Sequence, residues 1–313
     1  MEDYPHTLMD FEARFGTDKA CRSYLNRLRW PDGFICPRCG GQEAWMMSRG
    51  LWLCGRCRRQ TSVTAGTIFQ DSRLPLTLWF RAMWYVTSQK NGASALGVQR
   101  VLGLGSYRTA WTWLHKLRRA MVRPGRERLQ GLVEVDETYL GGLEEGRPGR
   151  SASGKKALIA VAAEEVDKGI GRIRLRRIRD ASGTSLCPFV HDSVEAGSRV
   201  RTDGWTGYDG LEAMGYKHQV SILAGRRKRE GDLLPHVHRV VSLLKRWLMG
   251  THQGAVSHAH LDYYLDEFTF RFNRRTSGSR GKLFYRLVQQ AVQVAPQPYA
   301  TIVKRARPRE HSP

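Results

Sequence analysis

The chain has 313 residues, long enough for two or three small domains, and its 51 Lys and Arg against 29 Asp and Glu leave a formal charge of +22. A charge of that sign and size points to a polyanionic partner, most simply nucleic acid. There is no apolar run long enough to span a bilayer, the acidic start Met1-Glu2-Asp3-Tyr4 lacks the pattern of a signal peptide, and six cysteines do not make a disulfide scaffold. A cytoplasmic, nucleoid-associated protein is therefore expected.

Residues 1–65 read as a zinc ribbon with an N-terminal helix. Cys36-Pro37-Arg38-Cys39 and Cys54-Gly55-Arg56-Cys57 form two knuckles separated by fourteen residues. Four thiolates at that spacing predict the closed tetrahedral shell of a structural zinc. Gly40-Gly41 permits the turn after the first knuckle, and Trp45, Leu51 and Trp52 supply strand character and apolar cover. Arg38, Arg56, Arg58 and Arg59 would let the ribbon touch a phosphate backbone. Cys21 and Cys187 stand alone and read as buried apolar residues.

Residues 72–123 read as a helical DNA-binding segment. Leu76, Trp79, Phe80, Met83 and Trp84 recur at helical spacing after Pro75, a short helix covers 93–102, and a third runs from Tyr107 to about Val122. Gly103-Leu104-Gly105-Ser106 is the turn between the last two, with Ser106 as N-cap. A tight glycine turn followed by a helix carrying Arg108, His115, Lys116, Arg118 and Arg119 predicts a helix-turn-helix, with Arg118 and Arg119 among its DNA contacts. A plain helical hairpin with a solvated basic face has the same pattern.

From residue 131 the pattern changes to strands. The segments 132–140, 157–163, 172–176 and 198–203 carry strand character, with a helix expected over 185–194. Two long helices follow, near 235–249 and 257–275. This order predicts an α/β domain with a mixed sheet, compatible with a ribonuclease-H-like fold, running over 131–293 and followed by a basic tail at 294–313. Asp136 interrupts an apolar strand, where a carboxylate is costly unless paired or metal-bound. Asp203 ends another strand 67 residues later, far enough for the chain to return and set the two acids side by side around a divalent cation such as Mg²⁺. A third ligand is expected from the following helices, and periodicity leaves His238, Glu267 and Asn273 open. His238 and Lys245, seven residues apart, flank the same edge of their helix.

These residues carry a family resemblance. Arg29-Trp30-Pro31-Asp32-Gly33-Phe34-Ile35 leading into the first knuckle is similar to the start of zinc-ribbon transposases of the insertion sequence 1595 family. Val133-Glu134-Val135-Asp136-Glu137-Thr138-Tyr139-Leu140 resembles the family's first catalytic motif, and Arg201-Thr202-Asp203-Gly204-Trp205 with Gly207-Tyr208 resembles the second. Ser242-Leu243-Leu244-Lys245-Arg246 with Gly250-Thr251-His252, and then Tyr264-Leu265-Asp266-Glu267-Phe268 with Phe270-Arg271-Phe272-Asn273-Arg274-Arg275, resemble the segments that follow. The resemblance runs from about residue 10 to 290 with the motifs in order.

It implies a DDE-type transposase with a ribonuclease-H-like core, Asp136 and Asp203 as metal ligands, and a third ligand at His238 with Lys245 seven residues on. The family's usual Glu or Asn is replaced there by His238, and imidazole suits Mn²⁺ better than Mg²⁺. Glu267 and Asn273 are the reserves for that place. The expected reaction is metal-dependent cleavage at transposon ends followed by strand transfer into target DNA. The expected DNA contacts are Arg226, Arg227, Lys228 and Arg229 in one run, Lys245 and Arg246, and the strand face Arg172, Arg174 and Arg176. His252 is expected to pack rather than to move protons. Synapsis of two ends requires at least a dimer in the working complex. The alternatives are a zinc-ribbon, helix-turn-helix regulator that binds DNA without cutting it, and a nuclease that cleaves without joining.

Overall fold

The structure is a computed structural model that describes residues 2–123, 125–141, 156–221, 232–254 and 256–304. Two compact units divide the chain: Met1–Arg123 together with Thr276–Lys304, and a second built on Pro124–Arg275.

The first unit opens with α1 (Leu8–Phe15) and α2 (Asp18–Arg29). Thr7 and Thr17 cap them, each hydroxyl accepting an N–H of the first turn, from Asp10 and Ala20 respectively. The antiparallel ribbon β1 (Ala44–Met46), β2 (Leu51–Cys54) and β3 (Gln60–Ser62) follows. Its small core of Phe34, Cys36 and Cys54 is walled by Trp30 and Trp52, and Trp52 Nε1 donates to Asn26 Oδ1 of α2 at 2.9 Å. Next come α3 (Leu76–Ser88), α4 (Ala95–Leu102) and α5 (Tyr107–Ala120). Gly103 ends α4 in the left-handed conformation at φ 63°, which makes the tight turn into α5 possible. Ser106 precedes α5 but makes no side-chain cap bond; the hydroxyl that does cap a helix here is Ser94, on α4.

The second unit holds β4 (Leu132–Leu140), β5 (Ala157–Val166), β6 (Gly169–Ile178), α6 (Gly183–Ser193), β7 (Arg199–Thr202) and β8 (Lys217–Val220). It continues with α7 (Pro235–His252) and α8 (Leu261–Phe272). The sheet order is β6-β5-β4-β7-β8: β6, β5 and β4 form an antiparallel meander, and β4, β7 and β8 run parallel. The parallel return from the meander to β7 is made through α6. One sheet face (Val133, Val135, Leu158, Ala160, Ala162) packs on Leu186, Phe189 and Val190 of α6. The other (Ile159, Val161, Ala163, Ile173, Leu175) packs on Val237, Val240, Leu244 and Leu248 of α7 and on Leu265, Phe268 and Phe272 of α8. The unit is thus a mixed α/β sandwich with the sheet as its central layer, and β5 is buried on both faces along most of its length. The outer edge of β6 is closed by the end of α8. Asn273 Oδ1 accepts the Ile173 N–H at 2.7 Å and Asn273 Nδ2 donates to the Ile173 carbonyl at 3.1 Å. Arg275 donates to the carbonyls of Gly171 and Ile170.

The chain then returns to the first unit through α9 (Arg280–Ala291) and α10 (Tyr299–Lys304). Phe284 of α9 sits among five rings, with centroids 5.4 Å from Phe11, 5.6 Å from Phe15, 6.4 Å from Tyr24, 5.7 Å from Phe80 and 5.9 Å from Trp84. Gly281 lies so close to the Pro5 carbonyl that no Cβ fits between them. The sequence expectation carried the catalytic domain through residue 293; residues 276–304 group instead with the N-terminal unit, because the apolar face of α9 completes the aromatic core of α1 to α3. Among the described residues no helix is long and apolar enough to cross a membrane.

Candidate functional site

The two aspartates are placed by neighbouring strands. Parallel pairing of β4 with β7 puts Leu132 beside Arg199, Val133 beside Val200 and Glu134 beside Arg201. The paired residues end there; two places further along lie Asp136 on β4 and Asp203, the first residue past β7, close enough for the charge of Asp203 to act on the Asp136 carboxyl. Neighbouring strands lie about 4.8 Å apart. Alternation does the rest: Val133 and Val135 point into the α6 layer, while Glu134 and Asp136 face α7.

Asp136 Oδ1 accepts the backbone N–H of Glu137 at 2.8 Å, and Asp203 Oδ1 accepts that of Trp205 at 3.0 Å. Burial pushes the Asp136 carboxyl above the usual carboxylate range, and the negative charge of Asp203 adds to the rise against the opposing pull of the Glu137 N–H and of His238. His238, on the first turns of α7, brings Nε2 to 3.3 Å from Asp136 Oδ2, while its Nδ1 lies 2.6 Å from Asp232 Oδ1. As an imidazolium the ring bridges the two aspartates; with Nδ1–H kept on Asp232, its Nε2 lone pair is free to take a cation on the Asp136 side.

The second motif is tied to the first on the opposite face of the sheet. Tyr208 is fully buried and its hydroxyl donates to Glu137 Oε2 at 2.9 Å. Burial, reinforced by the charges of Glu137 and Asp136, drives the Tyr208 phenol well above its ordinary value, so it remains a proton donor. Gly207 is required beside it, because a Cβ there would meet the Ala181 carbonyl and the Leu186 side chain.

Of the three residues open for the third ligand, only His238 is near Asp136 by these contacts. Glu267 is fully buried and Arg271 Nε donates to its Oε1 at 2.9 Å. Asn273 is held by the Ile173 backbone at the sheet edge. The ligand atoms of Asp136, Asp203 and His238 are less tightly drawn together than two other sets. Among the described residues, Cys36, Cys39, Cys54 and Cys57 form one group with ligand atoms mutually within 4.8 Å, and Glu134, Glu165 and His236 form another. The latter already contains a cation, since Arg201 Nη1 stands 3.5 Å from Glu134 and 3.7 Å from Glu165.

The cysteine group fits a structural zinc. Cys36 and Cys57 have sulfurs 3.6 Å apart and Cys39 and Cys54 3.7 Å apart. Tetrahedral ligation with Zn–S bonds of about 2.3 Å requires an S···S edge of about 3.8 Å. The knuckle backbones support this: Gly40 N–H donates to the Cys36 carbonyl at 2.9 Å and Arg58 N–H to the Cys54 carbonyl at 3.0 Å.

The expected DNA-contacting residues divide. Lys245 and Arg246 are exposed on α7, Lys245 two turns along from His238. Arg226, Arg227, Lys228 and Arg229 lie outside the described residues. Arg118 is only 1% exposed and Arg119 half-buried, because α5 is covered on several sides within its own unit; Arg118 is therefore not a surface contact. The strand face Arg172, Arg174 and Arg176 is engaged inside the protein as well. Arg172 pairs with Glu164 at 2.9 Å, Arg176 pairs with Asp192 at 3.0 Å, and Arg174 is buried, donating to backbone carbonyls. His252 packs edge-on between Trp247 and Tyr264, at centroid distances of 4.7 and 4.8 Å. Sequence reasoning missed Glu134, Arg201 and His236, although the shared face of Glu134 and Asp136 on one strand signals the first of them.

Comparison with known proteins finds two family domains along the chain. Residues 128–273 match the ISXO2-like transposase domain and residues 16–60 the transposase zinc-ribbon domain. An uncharacterized protein in transposable element ISH50 of Halobacterium salinarum is 27% identical over 276 residues, covering 82% of this chain and 91% of that protein. A solved chain from a pre-cleavage Mos1 transpososome aligns over 63% of this chain and 76% of its own at 11% identity, with a TM-score of 0.19, too low to bear on the fold. With the zinc-ribbon and transposase domains matched in order along one chain, this protein belongs to the insertion sequence 1595 family of transposases.

Proposed function

We propose that the α/β unit is a ribonuclease-H-like catalytic domain and that the protein is a DDE-type transposase, cleaving DNA at transposon ends and transferring the freed strand to target DNA. The observation that carries this reading is the placement of His238 Nε2 at 3.3 Å from Asp136 Oδ2, beside an acid on which the charge of Asp203 acts from the end of the parallel neighbour strand. Two acids that share a partly buried region repel unless a cation lies between them; burial is the main cause of the raised Asp136 carboxyl, and the charge of Asp203 adds to it. A bound Mg²⁺ or Mn²⁺ would supply Lewis-acid activation of the attacking oxygen and charge stabilisation at the leaving one.

Asp136, Asp203 and His238 would hold the cation, and Asp232 would fix the ring orientation of His238. In the reaction a water hydrolyses the phosphodiester at each end, and the resulting 3′-OH attacks a target phosphodiester in line. Lys245 and Arg246 would grip phosphates, and the zinc ribbon and the α4–α5 hairpin would recognise the ends. The working form is a cytoplasmic complex of at least two copies on double-stranded DNA.

The test is incubation of the purified protein with DNA carrying the repeats that flank its own gene, in Mg²⁺ or Mn²⁺, beside Asp136→Asn. Cleaved and joined products that vanish in the variant are expected. Cleavage without joining would mark a simple nuclease. Tight binding with no chemistry in either metal would mark a regulator and overturn the proposal.

A further inference from the structure

Beside the site lies a partly buried ionic cluster. Glu134 is fully buried, and its carboxylate accepts the His236 N–H at 2.8 Å, the Val237 N–H at 3.0 Å and the His236 ring, whose Nδ1 stands 2.9 Å away. Arg201 Nη1 lies 3.5 Å from Glu134 Oε1 and 3.7 Å from Glu165 Oε2, and His236 Nδ1 lies 3.8 Å from Glu165 Oε2. The members come from β4, β5, β7 and α7. Three of them sit two residues before a member of the acid site: Glu134 before Asp136, Arg201 before Asp203 and His236 before His238.

The chemistry of the cluster is that of a clamp. The N-cap of α7, Leu234, makes no side-chain cap bond, and Pro235 fills the first helical position, where no N–H is needed. The free donors of that first turn belong to His236 and Val237, and a carboxylate from another element takes both. Arg201 is paired directly with Glu134 across the β4–β7 ladder. One carboxylate therefore fixes the start of α7 to the two parallel strands. Arg201 already sets one positive charge at 3.5 and 3.7 Å from the two glutamates.

We propose that Glu134, with Arg201, His236 and Glu165, is a positioning layer that sets the spacing of Asp136, Asp203 and His238 and so tunes their affinity for a divalent ion. The inference rests on reading those three residues as the metal ligands. Outer-layer partners of metal ligands typically change metal affinity by about 10- to 100-fold when altered. A layer that served stability alone would leave that affinity where it was.

The test is Mn²⁺ titration followed by electron paramagnetic resonance, on the full chain with zinc in its ribbon, for the wild type, Asp136→Asn, Glu134→Gln and His236→Gln, with a thermal melt for each. The wild type should show a site that Asp136→Asn abolishes. Glu134→Gln should weaken that site by about 10-fold or more, and His236→Gln, which removes only the ring contact and spares the helix backbone, should weaken it by a smaller factor. Should Glu134→Gln fail to fold, His236→Gln carries the test. A folded variant of either kind that binds Mn²⁺ as the wild type does overturns the positioning layer alone. Absence of any Asp136-dependent site in the wild type overturns the metal-ligand reading beneath it.

Discussion

Replacing Asn273 with alanine separates a ligand from a structural tie. The amide of Asn273 makes both backbone bonds of Ile173, at 2.7 and 3.1 Å, on the outer edge of β6. Each such bond contributes about 0.5–1.5 kcal/mol net, so the pair is worth about 2 kcal/mol. For a unit of this size about 1 kcal/mol moves the melting midpoint by about 2–4 °C, which predicts a fall of about 4–8 °C. Circular-dichroism melts measure the midpoint, and Mn²⁺ titration of the same preparation measures the divalent site. The expected result is a lower midpoint with the Asp136-dependent Mn²⁺ site retained. An unchanged midpoint together with loss of that site would refute the reasoning, because Asn273 would then be a ligand and its bonds to Ile173 incidental.

Asp136→Asn should alter stability with a definite sign. Burial and Asp203 raise the Asp136 carboxyl in the folded protein, so its favourable contribution is complete below the unfolded value near 3.8 and is lost as pH rises through the higher folded one. Without added divalent ions the variant should melt above the wild type at pH 7 and level with it at pH 3, and Mn²⁺ should raise the midpoint of the wild type only; a variant less stable at pH 7 would contradict this. Cys57→Ser should remove the zinc detected by metal analysis of the purified chain and unfold the ribbon, seen as a change in Trp52 emission, with the α/β sheet retained by far-ultraviolet spectra.

The chemistry-bearing residues were easier to read from the sequence than the packing around them. Two Cys-x-x-Cys knuckles report a local geometry, and four sulfurs do converge. Asp136 stood out because it interrupts an apolar strand and Asp203 because it ends another, and β4 and β7 are parallel neighbours in the sheet. Arg118 was not readable as buried: a charged residue on an amphipathic helix looks solvated until further helices cover that side. The arginines of β6 misled for a related reason, since alternation shows which residues share a face but not whether glutamates and backbone carbonyls wait opposite. Strand β8, Lys217-His218-Gln219-Val220, carries no apolar alternation because it is an exposed edge strand, joined to β7 by backbone bonds and by His218 at 2.9 Å from Thr202 Oγ1. The placement of α9 depended on a long-range match of aromatic rings, which no local window contains.

That last helix has a consequence for biosynthesis. The hub of the N-terminal core, Phe284, is encoded after the entire α/β unit. Domains usually mature in the order in which they leave the ribosome. In this chain the unit translated second can mature first, while α1, α2 and α3 wait with their rings uncovered. A nascent or prematurely terminated product would therefore carry an unfinished N-terminal unit, and completion of that unit would signal that the α/β unit has already been made.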